Sequence, residues 1–403
     1  MSNNITENTN CLACGSSNLT LTLDLNHQPL ANNFTTIPTT QQQYPLAVNL
    51  CTDCYHLQLT HTVDPKIIYS NYLYVAGTSQ TLKDYSNWFA GYVTETIQHK
   101  TLQVLDIGCN DGTQLNYFKD RGFKTFGIDP AKNIHATSSK NHTVICDFFG
   151  PAVLPQIRDE FDAIVAQNVL AHNPCPLEFL ESCKKLMSDH TLLFVQTSQA
   201  DMILNNEFDT IYHEHVNFFN INSMVHLAQR AGLNLIDIIK TPIHGNSYVF
   251  IFSLTTRKQY NLYNSLAMEH KLVKIDTYKN WEQTVKTNMQ ELHKVIQYYS
   301  TIGYKIVGYG AAAKGNTLLN YIDQPLDLII DDNPLKQGQF APGTNSAIKS
   351  IDSLNEFDSG HKIVFMPLAW NFFDEISKRI RTVRDNPNDL FLKYFPTVKI
   401  SNV

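Results

Sequence analysis

Leu105-Asp106-Ile107-Gly108-Cys109-Asn110-Asp111-Gly112 is the stretch that decides the fold. It continues the apolar run from Leu102 and leads into a helical pattern with Leu115 and Phe118 on one face. A strand that runs into a glycine turn and then a helix lets backbone approach a ligand at the helix N-terminus. The glycines are not spaced G-x-G-x-x-G, so the dinucleotide fingerprint is absent.

Outward from this turn, apolar runs end in Asp106, Asp129, Asp147 and Asn168, with helical patterns between them. That alternation predicts an α/β fold with a parallel sheet, and polar groups at the carboxyl ends of its strands line the ligand crevice. Asp129 follows the turn by about 20 residues, where a carboxylate accepts hydrogen bonds from two ribose hydroxyls. Pro130 also suits a first helical position, so Asp129 reads as a helix cap as well, and the two readings are compatible. Asp147 or Phe148 is placed to meet the edge or face of an adenine. The runs Leu192–Val195 and Leu233–Ile236 extend the sheet, and Tyr248–Phe252 returns soon enough to form a terminal antiparallel pair. A helix through Tyr85, Trp88, Phe89 and Val93 is expected to pack on that sheet.

The chain has 403 residues, 43% hydrophobic and 17% charged, which describes two or three globular domains. A net charge of −6 argues against a nucleic-acid surface. No apolar run approaches the roughly 20 residues that span a bilayer, and the polar start lacks the pattern of a signal peptide. A cytoplasmic address and a monomer are the default expectations, with neither membrane nor nucleic acid as partner.

Eight cysteines include two knuckle-like pairs, Cys11-x-x-Cys14 and Cys51-x-x-Cys54. In a chain without an export signal such pairs read as a zinc site before disulfides or free thiols. Four thiolates leave no open coordination position, so the metal is expected to be structural. His56 is the alternative ligand. The 36 residues between the pairs exceed the usual spacer. Doubling a loop, however, costs only about 0.6 kcal/mol, against a site worth on the order of 10 kcal/mol.

Tyr212-His213-Glu214-His215 is not the His-Glu-x-x-His of a zinc hydrolase. As a strand it would put His213 and His215 on one side and Tyr212 and Glu214 on the other; as a loop, all four could converge. So much titratable chemistry suits proton transfer beside a carbonyl. His244-Gly245-Asn246-Ser247 adds a polar turn, and a helical connector follows to about Ser300. A second strand and glycine turn then come at Gly308-Tyr309-Gly310, followed by Lys314 and Asn316. This is an anion-ready helix start, or a tight turn with no ligand at all. Asp331-Asp332 ends the next run.

The glycine turn Asp106 to Gly112 resembles motif I of class I methyltransferases, with Asp106, Gly108, Cys109, Asn110 and Gly112 around S-adenosylmethionine. The whole chain resembles the sugar C-methyltransferases of deoxysugar biosynthesis. The resemblance rests on the paired Cys-x-x-Cys, the first glycine turn, Tyr212 to His215, Gly308 to Asn316 and Asp331 to Gly338. It implies a zinc-binding module over 1–70, a seven-strand class I methyltransferase sheet over 71–255, and a connector with a second Rossmann-like α/β domain over 256–403. It also implies methyl transfer to the carbon beside a ketone of a nucleotide-linked sugar, with an O- or N-methyltransferase as the alternative. His215 is then the expected base, Tyr212 and Glu214 position substrate or relay protons, and His172 contacts the sugar or enolate. Tyr72 or Tyr74 supplies a phenol. His244, Asn246, Ser247, Gly308, Tyr309, Gly310, Lys314, Asn316 and Asp332 are expected on the substrate side, with Lys314 on a phosphate.

This chain departs from the family pattern in places. Gln196-Thr197-Ser198 stands where a carboxylate and a proline commonly follow the fifth strand. Asn246 replaces a glycine, Val249 an arginine, and Asn345-Ser346-Ala347 a His-Ile-Pro. These departures bear on which sugar, or even which class of acceptor, is accepted.

Overall fold

The structure is a computed structural model that describes residues 4–69, 77, 80–97, 101–198, 202–243, 246–256, 270–358 and 360–402. The first strands are β1 (Ile5–Glu7), β2 (Leu19–Gln28), β3 (Tyr44–Cys51), β4 (Leu57–Leu59) and β5 (His61–Val63). They are followed by β6 (Gln103–Ile107), β7 (Lys124–Ile128), β8 (Thr143–Ile145), β9 (Ala163–Gln167) and β10 (Leu192–Thr197). Then come β11 (Asn217–Phe218), β12 (Asn234–Thr241) and β13 (Ser247–Ser253).

The central sheet has seven strands in the order β12-β13-β10-β9-β6-β7-β8. Only β13 runs antiparallel to its neighbours, the hairpin return expected from Tyr248–Phe252. Strands covered on both faces read as unbroken apolar runs instead of alternating ones, which is why β9 and β10 carry Ile164-Val165-Ala166 and Leu193-Phe194-Val195. One face packs on Phe89, Ala90 and Val93 of the helix Gln80–Thr96 and on Phe118. The other packs on the helices Pro176–Lys185 and Ile221–Ala231. Trp88 is not part of that core: it is 44% exposed, and its ring stacks on Tyr92 along the helix surface.

The second sheet comprises β14 (Lys305–Tyr309), β15 (Leu328–Ile330), β16 (Ile348–Lys349), β17 (Ile363–Pro367), β18 (Leu390–Lys393) and β19 (Lys399–Ser401). Its order is β16-β15-β14-β17-β18-β19, parallel except for β19. The connector is the helix Ile275–Thr301. Tyr278, Trp281, Val285, Met289, Leu292 and Ile296 recur every three or four residues and form its buried stripe. That stripe joins the N-terminal sheet and the second α/β unit in one core.

The N-terminal sheet has the order β11-β4-β3-β2, so one of its four strands, β11, comes from far downstream, pairing Asn217 with Gln58 and Phe218 with Leu57. No helix among the described residues is long and apolar enough to cross a membrane.

Candidate active site

Gly108 adopts a positive φ of 75° where β6 ends, and a Cβ there would strike Val169, so the turn needs glycine for both reasons. The next amides fold back onto β7: Asn110 N–H donates to Asp129 Oδ2 at 2.9 Å, and Ala131 N–H to Asp129 Oδ1 at 2.9 Å. Asp129 is therefore clamped by backbone beside the turn, although the following helix starts at Lys132 with Ala131, not Asp129, as its N-cap residue.

Asp106, Gly108, Cys109, Asn110, Asp129, Phe148 and Asn168 all line one cavity of about 280 Å³. Burial pushes the Asp106 carboxyl well above the usual range, and the charge of Asp129 adds to the effect. Gly112 and Asp147 are not on the wall. Gly112, at φ 84°, makes room for His142 and Ser138, and Asp147 accepts the N–H of Phe148 at 2.8 Å. Phe149 and Phe179, which the sequence reading passed over, supply apolar wall beside Phe148. A crevice with two strand-end carboxylates at one place and aromatic rings at another fits the ribose and adenine of S-adenosylmethionine.

Tyr69 and His172 line the same cavity. Tyr69 Oη lies 2.8 Å from His172 Nδ1, and its hydroxyl donates to the Glu214 carbonyl at 3.2 Å. Tyr72 and Tyr74, and likewise His244, lie outside the described residues. Burial pulls His172 down to about 4, so the ring is neutral near pH 7. The His172 and His215 rings meet edge to face, 4.8 Å between centroids.

His215 sits in a turn closed by its own N–H on the Tyr212 carbonyl at 2.8 Å, the loop form of the sequence alternatives. Its Nδ1 lies 2.8 Å from the Thr210 carbonyl, which can only accept. The ring proton therefore belongs to Nδ1, and Nε2 presents its lone pair to the Tyr212 hydroxyl 3.0 Å away. Glu214 is 7% exposed, and burial pushes its carboxyl up to about 7 while a hydrogen bond from Asn32 opposes the rise. Asn32 Nδ2 donates to Glu214 Oε1 at 2.5 Å. His213 leaves the cluster: its ring packs edge to face on Tyr44, 5.7 Å away, in the N-terminal module.

The polar turn before β13 is partly explained by its own geometry. Asn246 takes a positive φ of 83°, and buried Ser247 donates to the Ile243 carbonyl at 2.9 Å.

In the second α/β unit, the turn at Gly308 and Gly310 repeats the clamp seen at Asp129. Ala311 N–H donates to Asp331 Oδ2 at 2.7 Å. Here, however, Lys336 Nζ stands 3.8 Å from the same oxygen and donates to the Ala311 carbonyl at 2.7 Å, closing the space that the first turn leaves open. Gly308 serves packing, since a Cβ would come within 2.8 Å of Leu326. Tyr309 and Asp332 form a network with Arg379: the Tyr309 hydroxyl donates to Asp332 at 2.9 Å, and Arg379 donates to both.

Lys314 lies beside the loop that carries Asp209. Its Nζ stands 5.5 Å above the Trp370 ring, and Trp370 Nε1–H donates to buried Asp209 at 2.8 Å. Burial raises the Asp209 carboxyl, and the Lys314 charge works against that rise. Asn316 is turned inward, donating to the Ala31 carbonyl at 2.8 Å, one residue from Asn32.

Cys11, Cys14, Cys51 and Cys54 bring their sulfurs within 4.8 Å of one another. The 3.5 Å contacts are Cys11 to Cys54 and Cys14 to Cys51, so the two knuckles interleave. A tetrahedral zinc with bonds of about 2.3 Å needs sulfurs about 3.8 Å apart, and four thiols at this spacing fit it. His56 is not in the cluster; its Nε2 meets Asn217 Oδ1 at 3.1 Å. The long spacer is the β2–β3 hairpin, whose loop reaches the second α/β unit through the Thr35–Phe340 bridge and the bond of Gly343 N–H to Gln41. Both knuckles are pinned by the methyltransferase-type sheet's helix region: Arg230 donates to the Ala13 carbonyl at 2.7 Å and Asn222 to the Cys54 carbonyl at 2.8 Å.

Three families match the chain in succession: a putative zinc-binding domain over residues 11–69, a methyltransferase domain over 82–238, and a C-methyltransferase C-terminal domain over 242–395. The C-methyltransferase NovU of Streptomyces niveus is 25% identical over 385 residues, 91% of this chain and 90% of that one. The ubiquinone biosynthesis O-methyltransferase of Glaesserella parasuis serovar 5 (strain SH0165) is 34% identical over 108 residues, which are 24% of this chain and 44% of that protein. Among solved structures, magnesium protoporphyrin IX methyltransferase of Synechocystis PCC 6803 with bound SAM aligns over 43% of this chain and 79% of its own, with TM-score 0.34 and 11% identity.

Proposed function

Since the chain belongs to the S-adenosylmethionine-dependent C-methyltransferases built from a zinc-binding module, a methyltransferase domain and a C-methyltransferase C-terminal domain, we propose that it methylates the carbon beside a ketone in a nucleotide-linked keto-deoxysugar. The observation that carries this reading is the edge-to-face contact of His172, on the wall of the donor cavity, with His215 of the Tyr212–His215 pair. Oxygen and nitrogen acceptors need little help losing a proton; a carbon acceptor needs a base and a place for the resulting charge.

S-adenosylmethionine supplies a methyl group on a sulfonium, which a carbanion-like carbon can attack. The chain's own part comes before that. His215 Nδ1 is held by Thr210, so Nε2 is the nitrogen that gains a proton, and Tyr212 shares that nitrogen and relays. The C–H bond breaks, its proton goes to the Tyr212–His215 pair, and its electron pair moves to the ketone oxygen as an enolate. His172 and Glu214 are the groups assigned to that oxygen. Glu214, with its carboxyl at about 7, still carries a proton to donate through much of the neutral range. Lys314 is assigned to the nucleotide diphosphate.

The test is solvent deuterium exchange into keto-sugar nucleotides, followed by NMR without methyl donor. Enzyme-dependent exchange beside the ketone, lost in a folded His215→Ala variant that still binds S-adenosylhomocysteine, supports the reading. Failure of every keto-sugar nucleotide to exchange, with donor binding intact, would sink it.

A further inference from the structure

Three glutamines from separate elements meet where the donor cavity reaches the helix Gln80–Thr96: Gln114, Gln167 at the end of β9 and Gln196 at the end of β10. Gln196 pairs with Gln167 in parallel register, so both side chains leave the same face of the sheet. Their amides are oriented by a chain of contacts. Gln167 Nε2 donates to Gln114 Oε1 at 2.6 Å, and Gln114 Nε2 donates to the Ser86 carbonyl at 3.1 Å. The Tyr85 hydroxyl donates to Gln196 Oε1 at 3.1 Å, which leaves Gln196 Nε2 as the uncommitted end. Gln196 is 1% exposed, and its Nε2 has no hydrogen-bond partner among the described residues. An N–H buried without an acceptor is unfavourable, and a cavity wall that carries one is shaped for an acceptor that arrives with the ligand.

The methyl donor ends in an α-amino acid, whose carboxylate offers only acceptors and whose ammonium offers only donors. Asp106 and Asp129 place two carboxyl groups at the turn after β6 and β7, a part of the cavity whose acceptor oxygens suit an ammonium better than a second carboxylate. We propose that Gln196 Nε2 receives the α-carboxylate of S-adenosylmethionine, so that this residue reads the amino-acid end of the donor. A neutral amide receives the anion without adding charge to a pocket that already holds two carboxyls. The assignment rests on S-adenosylmethionine being the donor.

Calorimetric titration with S-adenosylhomocysteine, its decarboxylated analogue and 5′-methylthioadenosine tests it without any acceptor. Wild type is expected to lose about 10- to 100-fold in affinity when the carboxylate is removed from the ligand, the range for a hydrogen bond to a charged group. Gln196→Leu should bind S-adenosylhomocysteine and its decarboxylated analogue almost equally, with 5′-methylthioadenosine affinity as in wild type. Gln196→Glu should turn the preference towards the decarboxylated, purely cationic analogue. If Gln196→Leu still discriminates as wild type does, the carboxylate is read elsewhere and the proposal fails. A parallel loss of 5′-methylthioadenosine binding would make Gln196 a structural residue only. If wild type binds none of the three ligands, it is the donor reading itself that fails.

Discussion

Asn32 of the N-terminal module holds Glu214 of the Tyr212–His215 turn, with Nδ2 2.5 Å from Oε1 although the two residues stand 182 positions apart in the chain. The neighbouring Ala31 carbonyl accepts from Asn316 of the second α/β unit. The zinc-binding module therefore contributes a side chain to the site and is itself braced by the third domain. Removing that side chain in Asn32→Ala should lower methyl-transfer kcat by about tenfold, the loss expected for one net hydrogen bond, with donor affinity unchanged. Since the Asn32 bond lowers the Glu214 carboxyl, its loss should also move the Glu214 limb of the pH profile upward. Steady-state kinetics across pH check both, and partial recovery in Asn32→Gln would separate positioning from general destabilisation.

Glu214 should also leave a mark on stability. Its carboxyl is ordinarily ionised above 4.5 but is held to about 7 in the fold. Below about 4.5 both states carry the proton and nothing is lost. As pH rises towards 7 the unfolded chain releases its proton first, and folding loses about 3 kcal/mol in total. Glu214→Gln lacks this loss. Urea unfolding at several pH values should show the variant gaining on wild type between about 4.5 and 7, and no further change above.

Tyr69→Phe removes the hydroxyl 2.8 Å from His172 Nδ1 while keeping the ring. Deuterium exchange into a keto-sugar nucleotide is expected to slow by about tenfold, in line with one net hydrogen bond, and S-adenosylhomocysteine affinity should be unaltered. An unchanged exchange rate would remove Tyr69 from the proton network.

Zinc is expected at about one equivalent per chain by metal analysis, in a closed four-sulfur shell. Stripping it, or substituting Cys54→Ser, should lower Tm. Because the module carries Asn32, the same treatment should depress deuterium exchange more than it depresses binding of S-adenosylhomocysteine, whose cavity is lined mostly by residues between Leu82 and Gln196.

Local spacing made much of this architecture readable. Asp129 follows its glycine turn at the interval that the strand-turn-helix-strand unit imposes, and the two Cys pairs identify each other by their form. The residues that were not readable are joined by tertiary approach alone. Asn32 is one polar residue in a polar loop, Lys336 a surface-type lysine, and Tyr69 one of several tyrosines in its stretch; nothing periodic marks them. His213 and His215 stand two apart and look alike in sequence, yet the turn at Tyr212 sends one to Tyr44 and the other to His172. Gly308 shows the converse: its spacing fits an anion-ready turn or a tight turn alike, and only the structure shows that a Cβ there would meet Leu326.

The strand Asn217–Phe218 completes the N-terminal sheet only two residues after the Tyr212–His215 turn ends. The first module's four-stranded sheet is therefore complete only once residues through Phe218 are present. The edge strand and the helix that pins the metal knuckles both follow the Tyr212–His215 turn, so a truncated product that ends before Asn217 lacks both.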